Sequence, residues 1–220
     1  MLFRSAAADQ AAADQAAADQ AAAAAHPEPA ADAIVVHLSD DNDFYSVTTA
    51  SAHAVYGHEG DDAIFGGSKD DYLSGAGGDD LLVGDYGSDV ILGGDGNDGI
   101  FGGGLDDRIF GDAGDDSITG DGGSDQLTGG AGADTFAWEA NDLAHGYLDH
   151  VTDFEVGVDK IDLTEFLASS GATAYEDVVR IVDDQGAPGT LIQGLVRGEW
   201  FDIAILDNVD VTLADLQLAA

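Results

Sequence analysis

Nine aspartates recur at intervals of nine residues between Gly57 and Ala137, without a single insertion or deletion. Each stands at position six of a nonapeptide whose position one is always Gly and whose position eight is always apolar. Ca²⁺ is a hard cation that takes oxygen ligands from carboxylates and backbone carbonyls. We therefore predict that these carboxylates are calcium ligands. They are Asp62, Asp71, Asp80, Asp89, Asp98, Asp107, Asp116, Asp125 and Asp134.

Position four is Gly in seven of the nine repeats, and the exceptions are Lys69 and Leu105. Glycine enters left-handed conformations at little cost, so we expect these residues to aim loop carbonyls at the ion. A left-handed residue with a side chain costs about 1–2 kcal/mol, which predicts the weakest sites at Lys69 and Leu105. The predicted carbonyl ligands are Gly60, Gly78, Gly87, Gly96, Gly114, Gly123 and Gly132.

The last three residues of each repeat must position these loops. They suit a short strand that sends the position-eight side chain inward, and a strict nine-residue period is typical of a calcium-stapled parallel β-helix. Two repeats then make one coil of eighteen residues with a loop on each flank. Stacked loops lie two repeats apart, which pairs Asp62 with Asp80 on one flank and Asp71 with Asp89 on the other. Continuing both series predicts about seven interior calcium sites.

The repeats resemble a known family. Gly93–Phe101 reads Gly-Gly-Asp-Gly-Asn-Asp-Gly-Ile-Phe and fits the nonapeptide Gly-Gly-x-Gly-x-Asp-x-apolar-x of the repeats-in-toxin family of secreted bacterial proteins. The resemblance implies an all-β, right-handed parallel β-roll in which position-six aspartates and loop carbonyls bind calcium between turns. Just upstream, Thr48–Tyr56 keeps the apolar Val55 in register but has His53 in place of the aspartate. We interpret it as a decayed half-turn that caps the roll.

The segment after the repeats carries a second resemblance. Asp134–Trp138, Asp149–Phe154 and Gly157–Leu163 together resemble the C-terminal target domain of type I secretion substrates. The resemblance implies a small β-rich cap with an uncleaved export signal, a type I secretion transporter as partner during export, and an extracellular or cell-surface location. The ending Asp215–Ala220 departs from the acidic-plus-apolar ending of the secreted proteases. The roll needs a hydrophobic cap here in any case, so both interpretations stay open.

Composition divides the chain into four segments. Residues 1–33 are an Ala-rich low-complexity tail, in which Asp9, Asp14 and Asp19 interrupt the apolar run and argue against a cleaved signal peptide. Residues 34–56 are predicted to cap the roll, residues 57–137 are the repeats, and residues 138–220 form the C-terminal cap. Predicted strands lie at 34–38, 44–48, 150–154, 160–163, 178–182, 190–192 and 201–206, with helical turns at 164–167 and 213–216 and a hairpin turn at 183–186.

Charge sets the predicted mechanism. The chain has 44 acidic and 6 basic residues, a net charge of −38, and the repeats alone carry −17. Nucleic acid and anionic membranes are disfavoured as partners, because phosphate binding needs clustered Lys and Arg. Two carboxylates about 4 Å apart repel by about 1 kcal/mol in water and about 4 kcal/mol at an effective dielectric constant of about 20. We therefore predict that the metal-free chain stays expanded and that calcium binding supplies the folding free energy. The chain has no cysteine, and no apolar run approaches the length of a membrane span.

No catalytic constellation accompanies the repeats. His58-Glu59 begins a zinc-protease motif, but its second histidine would stand at Asp62. A Gly-x-Ser-x-Gly elbow is absent, and the six histidines show no metal-ligand spacing. We predict a non-enzymatic, secreted calcium-binding protein that folds after type I export. The alternative is a truncated protease-, lipase- or epimerase-like enzyme or toxin that kept only its roll and export module; the short stretch before Gly57 favours the first.

Overall fold

The computed structural model describes residues 26–138, 147–170, 177, 179–183, 189–196, 199–207, 209–213 and 216–218. Within these ranges the chain forms strands and one short helix, α1 at Thr164–Ser170. No helix in them combines the length and apolar character that a membrane span requires. Residues 1–25 of the predicted tail lie outside the described part of the chain.

The strands up to the last repeat are β1 Ile34–His37, β2 Phe44–Ser46, β3 His53–Glu59, β4 Ala63–Gly67, β5 Tyr72–Gly77, β6 Leu81–Tyr86, β7 Val90–Asp95, β8 Gly99–Gly104, β9 Arg108–Ala113, β10 Ser117–Gly122, β11 Gln126–Ala131 and β12 Thr135–Ala137. The later strands are β13 Asp149–Val151, β14 Lys160–Asp162, β15 Val179–Asp183, β16 Gly189–Val196, β17 Glu199–Asp207 and β18 Gln217–Leu218. The prediction of three-residue strands was wrong for most repeats, because strands β4 to β11 continue through the position-one glycine into the next loop.

Two sheets face each other across the coil. Sheet A has the order β1-β3-β5-β7-β9-β11-β13-β17-β16-β15, and sheet B has the order β18-β14-β12-β10-β8-β6-β4-β2. Neighbouring repeat strands are parallel and their register advances by eighteen residues, as in the pairing of Ile64 with Leu82 and of Leu82 with Ile100. The chain is thus a parallel β-solenoid with two repeats in each coil, which confirms the predicted fold class.

The core is a column of position-eight side chains between the sheets. All nine have no exposed surface, which confirms the inward direction predicted for this position. Fully burying one such side chain contributes about 1.5–3 kcal/mol. The nine are Ile64, Leu73, Leu82, Ile91, Ile100, Ile109, Ile118, Leu127 and Phe136.

Residues without the repeat sequence continue the coil at its N-terminal end. Strands β1 and β2 pair in parallel with β3 and β4, which sets Val36 beside Val55 and Tyr45 beside Ile64. Before β1, residues 26–33 lie on the outer face of sheet A. Ala33 packs on the cluster around Tyr72 there, and the His26 ring contacts Phe110 with a centroid separation of 4.5 Å.

The C-terminal end continues the coil in the same way. Strands β13 and β14 pair in parallel with β11 and β12 and bring Val151 and Ile161 onto the core column. Strands β15, β16 and β17 then form an antiparallel extension of sheet A. The predicted strands and the helical turn at 164–167 are present with shifted ends, whereas most of the turn at 183–186 and half of the one at 213–216 lie outside the described residues.

Candidate metal centre

The position-six aspartates of the odd-numbered repeats form one column along a flank of the solenoid, here called the odd column. The Oδ1 atom of Asp98 accepts a hydrogen bond of 2.8 Å from the backbone N–H of Asp80, and Asp98 donates its own N–H to Asp116 Oδ1 at 2.8 Å. The same bond links every successive pair, so each carboxylate is fixed against the coil before it. The odd column is Asp62, Asp80, Asp98, Asp116 and Asp134.

The even-numbered repeats form the matching column on the other flank, here called the even column. The backbone N–H of Asp71 donates to Asp89 Oδ1 at 2.7 Å, and Asp107 receives the next bond at 2.8 Å. The even column is Asp71, Asp89, Asp107 and Asp125. The structure therefore brings together the aspartates that the sequence pairs at a spacing of eighteen residues, with four steps in the odd column and three in the even one.

The second carboxylate oxygen of each aspartate has no partner. The Oδ2 atoms of all nine are buried and accept no hydrogen bond. An unsatisfied buried polar group costs about 1–3 kcal/mol, and more when it is charged. A proton or a cation beside each Oδ2 atom would therefore offset this cost.

A position-one glycine makes room beside each Oδ2 atom. A Cβ atom added to Gly93 would lie 2.3 Å from Asp98 Oδ2 and 2.6 Å from the carbonyl oxygen of Gly111 in the next coil. At Gly84 the corresponding distances to Asp89 Oδ2 and the Gly102 carbonyl are both 2.4 Å. The unpartnered Oδ2 atom and a backbone carbonyl oxygen of the next coil thus lie beside the same glycine, and this pair of oxygens suits a hard divalent cation.

The remaining ligands of such a cation have to come largely from the backbone. Nowhere in the described ranges do three or more His, Cys, Asp or Glu side chains converge as a metal cluster. Loop carbonyls are the oxygens that supplement the carboxylates in calcium sites. The carbonyls of the glycine-rich loops are the candidates for this role.

Burial and like charges disfavour the ionised form of the column aspartates. Burial, with the like charges of Asp107 and Asp71 as smaller causes, raises the pKa of Asp89 to about 8. Burial likewise raises the pKa values of Asp80 and Asp98 to about 7. The hydrogen bond at Oδ1 lowers each value but does not offset the burial. Burial raises the pKa values of the other six aspartates as well.

The position-four glycines are required by contact between coils. Gly96 has φ of +135°, and a Cβ atom on it would lie only 2.0 Å from the carbonyl oxygen of Gly78 in the preceding coil. Leu105 has a left-handed backbone with φ of +83°. The sequence analysis expected this conformation where a residue with a side chain replaces the position-four glycine. The same prediction was wrong for Lys69, which is not left-handed.

Position two carries a constraint that the sequence analysis missed. This residue is left-handed in all nine repeats, with φ between +62° and +117°. Five of the nine carry side chains, namely His58, Ala76, Asp85, Asp112 and Asp121. Asp and His are among the residues that tolerate this conformation best, so their frequency at position two was the available signal. Position four alone was read as the left-handed position because glycine dominates it.

The columns also continue beyond the repeats, which the sequence analysis did not predict. The N–H of Asp125 donates to Asp149 Oδ1 at 2.9 Å, and that of Asp134 donates to Asp159 Oδ1 at 3.1 Å. At the other end, Asp43 donates its N–H to Asp62 Oδ1 at 2.7 Å. The signal was a triplet of aspartate, any residue and an apolar residue, as in Asp43-Phe44-Tyr45.

The C-terminal ends of both columns differ from the repeats in one respect. The Oδ2 atom of Asp149 accepts the indole N–H of Trp138 at 2.6 Å, and that of Asp159 accepts the Glu155 N–H at 2.8 Å. Protein donors therefore occupy the position that is open in every repeat. Both columns end against hydrogen-bonded carboxylates instead of open ones.

The repeat region matches a known family of repeats. The family model of the RTX calcium-binding nonapeptide repeat (4 copies) matches residues 56–85, 74–106 and 101–136. No curated protein matches the chain. Among solved structures, the solution structure of the AlgE6R3 subunit from the Azotobacter vinelandii mannuronan C5-epimerase is similar at 18% identity and a TM-score of 0.26, over 86% of this chain and 85% of that one.

Proposed function

We propose, on the premise that residues 56–136 are an array of RTX calcium-binding nonapeptide repeats, that this is a secreted protein whose solenoid folds on binding several Ca²⁺ ions after type I export. The observation that carries the proposal is the row of nine buried Oδ2 atoms without partners. The proposed ligands are the nine position-six carboxylates together with loop carbonyls, including those of the seven position-four glycines. Seven interior sites correspond to the seven steps within the two columns.

The loop carbonyls support this ligand set. The carbonyl oxygens of Gly60, Gly78, Gly96 and Gly114 each lie against the position-four glycine of the next coil, at 1.7–2.2 Å from an added Cβ atom. Glycine at position four therefore keeps the space between loops open for an ion and for the carbonyls around it. A side chain there would close the space.

The carboxylates make folding depend on the ion. At neutral pH the coil has to bury aspartates whose pKa values lie near 7 to 8, so each one is either protonated at a cost or ionised beside another ionised group. Bound calcium supplies the positive charge that this row lacks. One site at about a hundred times its dissociation constant contributes about 2.7 kcal/mol. Several such sites exceed what a marginal domain needs.

The calcium dependence links folding to location. Extracellular calcium modules typically bind at about 0.1–1 mM, so the chain stays unfolded where calcium is scarce and folds where it is plentiful. On this proposal the chain is exported unfolded and folds once outside. Residues 138–220 are the proposed type I target domain on the likeness of their motifs. Asp149 and Asp159 give the same segment a second role in closing the columns.

Two experiments test the proposal. Calorimetric titration of the full chain should give about seven calcium ions, and one or two ions would contradict the column assignment. Secretion is tested by comparing the culture medium of wild-type cells with that of cells lacking the type I transporter. The protein should vanish from the medium in the deletion strain, and its persistence there would remove the export part while leaving calcium binding intact.

A further inference from the structure

The segment at residues 26–33, here called the strap, crosses the outer face of sheet A. It begins at His26, whose ring contacts Phe110 of β9 with a centroid separation of 4.5 Å. Midway, Pro29 lines a cleft of about 130 Å³ together with Tyr72 of β5. The strap then leads into β1, which lies four strands away from β9 in the order of sheet A. At about 4.8 Å for each strand, it spans about 19 Å along the solenoid.

The strap covers apolar side chains that point away from the core. Tyr72 and Leu92 each adjoin an inward-facing position-eight residue and therefore point to the outer face. Both belong to the cluster on which the strap packs, and each is only 4% exposed. Leu81 and Phe101 stand at the same repeat positions on sheet B, and each is 38% exposed. We therefore attribute the burial of the sheet A residues to the strap.

Side chains hold the strap in place. In the described part of the chain, the one backbone hydrogen bond made by its residues joins the Ala33 N–H to the Ala30 carbonyl at 3.0 Å. The His26 side chain is 9% exposed, and its Nε2 atom lies 3.2 Å from Asp112 Oδ1. Because the strap forms no ladder with sheet A, it can leave without breaking a strand pair.

We propose that the outer face of sheet A is a docking surface that binds the strap only in the calcium-loaded roll. The surface is assembled from separate coils, so it exists only while these coils are stacked. Tyr72 and Val90 directly follow the column aspartates Asp71 and Asp89, so cations in the even column set the spacing of these two residues. Docking fastens residues 1–25 to the middle of the roll, and its loss in low calcium releases them. This inference rests on the proposed calcium-driven folding.

The test measures how fast single thiols react in the full chain, which has no cysteine of its own. L92C places a thiol in the cluster that the strap covers, and F101C places one at the same repeat position on sheet B. In excess calcium we expect L92C to react with a soluble disulfide reagent at least about tenfold more slowly than F101C. In excess chelator the two thiols should react at equal rates, because both are then exposed.

Two substitutions in the strap assign the protection of L92C. H26D places a carboxylate against the Phe110 ring and beside Asp112, so it should release the strap and raise the L92C rate in calcium to that of F101C. The control A31D changes the net charge equally at an exposed residue and should leave L92C protected. Far-UV circular dichroism in calcium checks that each variant folds. If L92C does not fold, Y72C is compared with L81C in the same way.

Two results would overturn the inference in a chain that shows β-structure in calcium. One is an equal rate for L92C and F101C, and the other is the same L92C rate with H26D as with A31D. Either result leaves calcium-driven folding intact. Failure of the calcium proposal has a different signature, namely the same circular dichroism spectrum of the wild type in calcium and in chelator.

Discussion

Replacing Asp98 by asparagine separates the two roles of a column carboxylate. In D98N the carbonyl oxygen of the new side-chain amide still offers an acceptor to the Asp80 N–H, which Asp98 Oδ1 now holds at 2.8 Å. The substitution removes the charge and places the amide nitrogen at the unpartnered Oδ2 position. It therefore tests the ligand role and leaves the hydrogen bond between coils in place.

The expected magnitude follows from the position of Asp98 in the column. It takes part in two steps, with Asp80 before it and Asp116 after it. At about a hundred times the dissociation constant, loss of one site removes about 2.7 kcal/mol and loss of both about 5 kcal/mol. In chelator the sign should reverse or vanish, because burial raises the pKa of Asp98 to about 7 and an uncharged amide avoids that cost.

The assay is urea unfolding in excess calcium, followed by far-UV circular dichroism, with a calorimetric ion count. Asp79 offers a matched control: it is exposed and precedes a column aspartate, and its Oδ1 accepts the Asn97 N–H at 2.8 Å. D79N changes the net charge equally but should alter the free energy of unfolding by less than about 0.5 kcal/mol. If D98N and D79N have the same ion count and the same stability in calcium, the column carboxylates are not ligands and the reasoning is refuted.

Three further predictions follow from the same geometry. G96A should prevent calcium-induced folding, because its Cβ atom would lie 2.0 Å from the Gly78 carbonyl oxygen at a residue with φ of +135°. The control G99A should fold as the wild type does, because the nearest atom to its Cβ would lie 3.7 Å away. Calcium titration followed by circular dichroism compares the two variants. I100A should lower the free energy of unfolding in calcium by about 2–5 kcal/mol. F101A should lower it much less, because Phe101 is 38% exposed. Equal losses of stability in urea unfolding would contradict the assignment of Ile100 to the core. In EDTA the folded-state pKa values of about 7 to 8 exceed the unfolded value of about 3.9, so the coil gains protons on folding. Its stability should be greatest below about pH 4 and fall as the pH rises through 7 to 8; more β-structure at pH 8 than at pH 5 would contradict this sign.

The sequence predicts the repeating part of the molecule closely. An invariant apolar residue every nine positions predicts both the inward column and the eighteen-residue coil, because a buried column needs one identical position in each half-coil. The register between Ile64 and Leu82 bears this out. The pairing of Asp62 with Asp80 follows from the same period, and their hydrogen bond joins them in the structure.

The ends of the coil could not be predicted equally well. Asp149 and Asp159 follow the preceding column residues by 24 and 25 residues, so the period of eighteen does not find them. The left-handed backbone at position two was not predicted for a different reason. Its residue type varies from His58 to Ala76, because the fold fixes the backbone there and leaves the side chain outside.

The most direct test of calcium-driven folding is far-UV circular dichroism combined with small-angle X-ray scattering on the purified full chain. At neutral pH in excess chelator we expect an expanded chain with little β-structure, and in millimolar calcium a compact β-rich particle. A chain that is compact and β-rich in chelator, or one that stays expanded in calcium, would contradict the central claim.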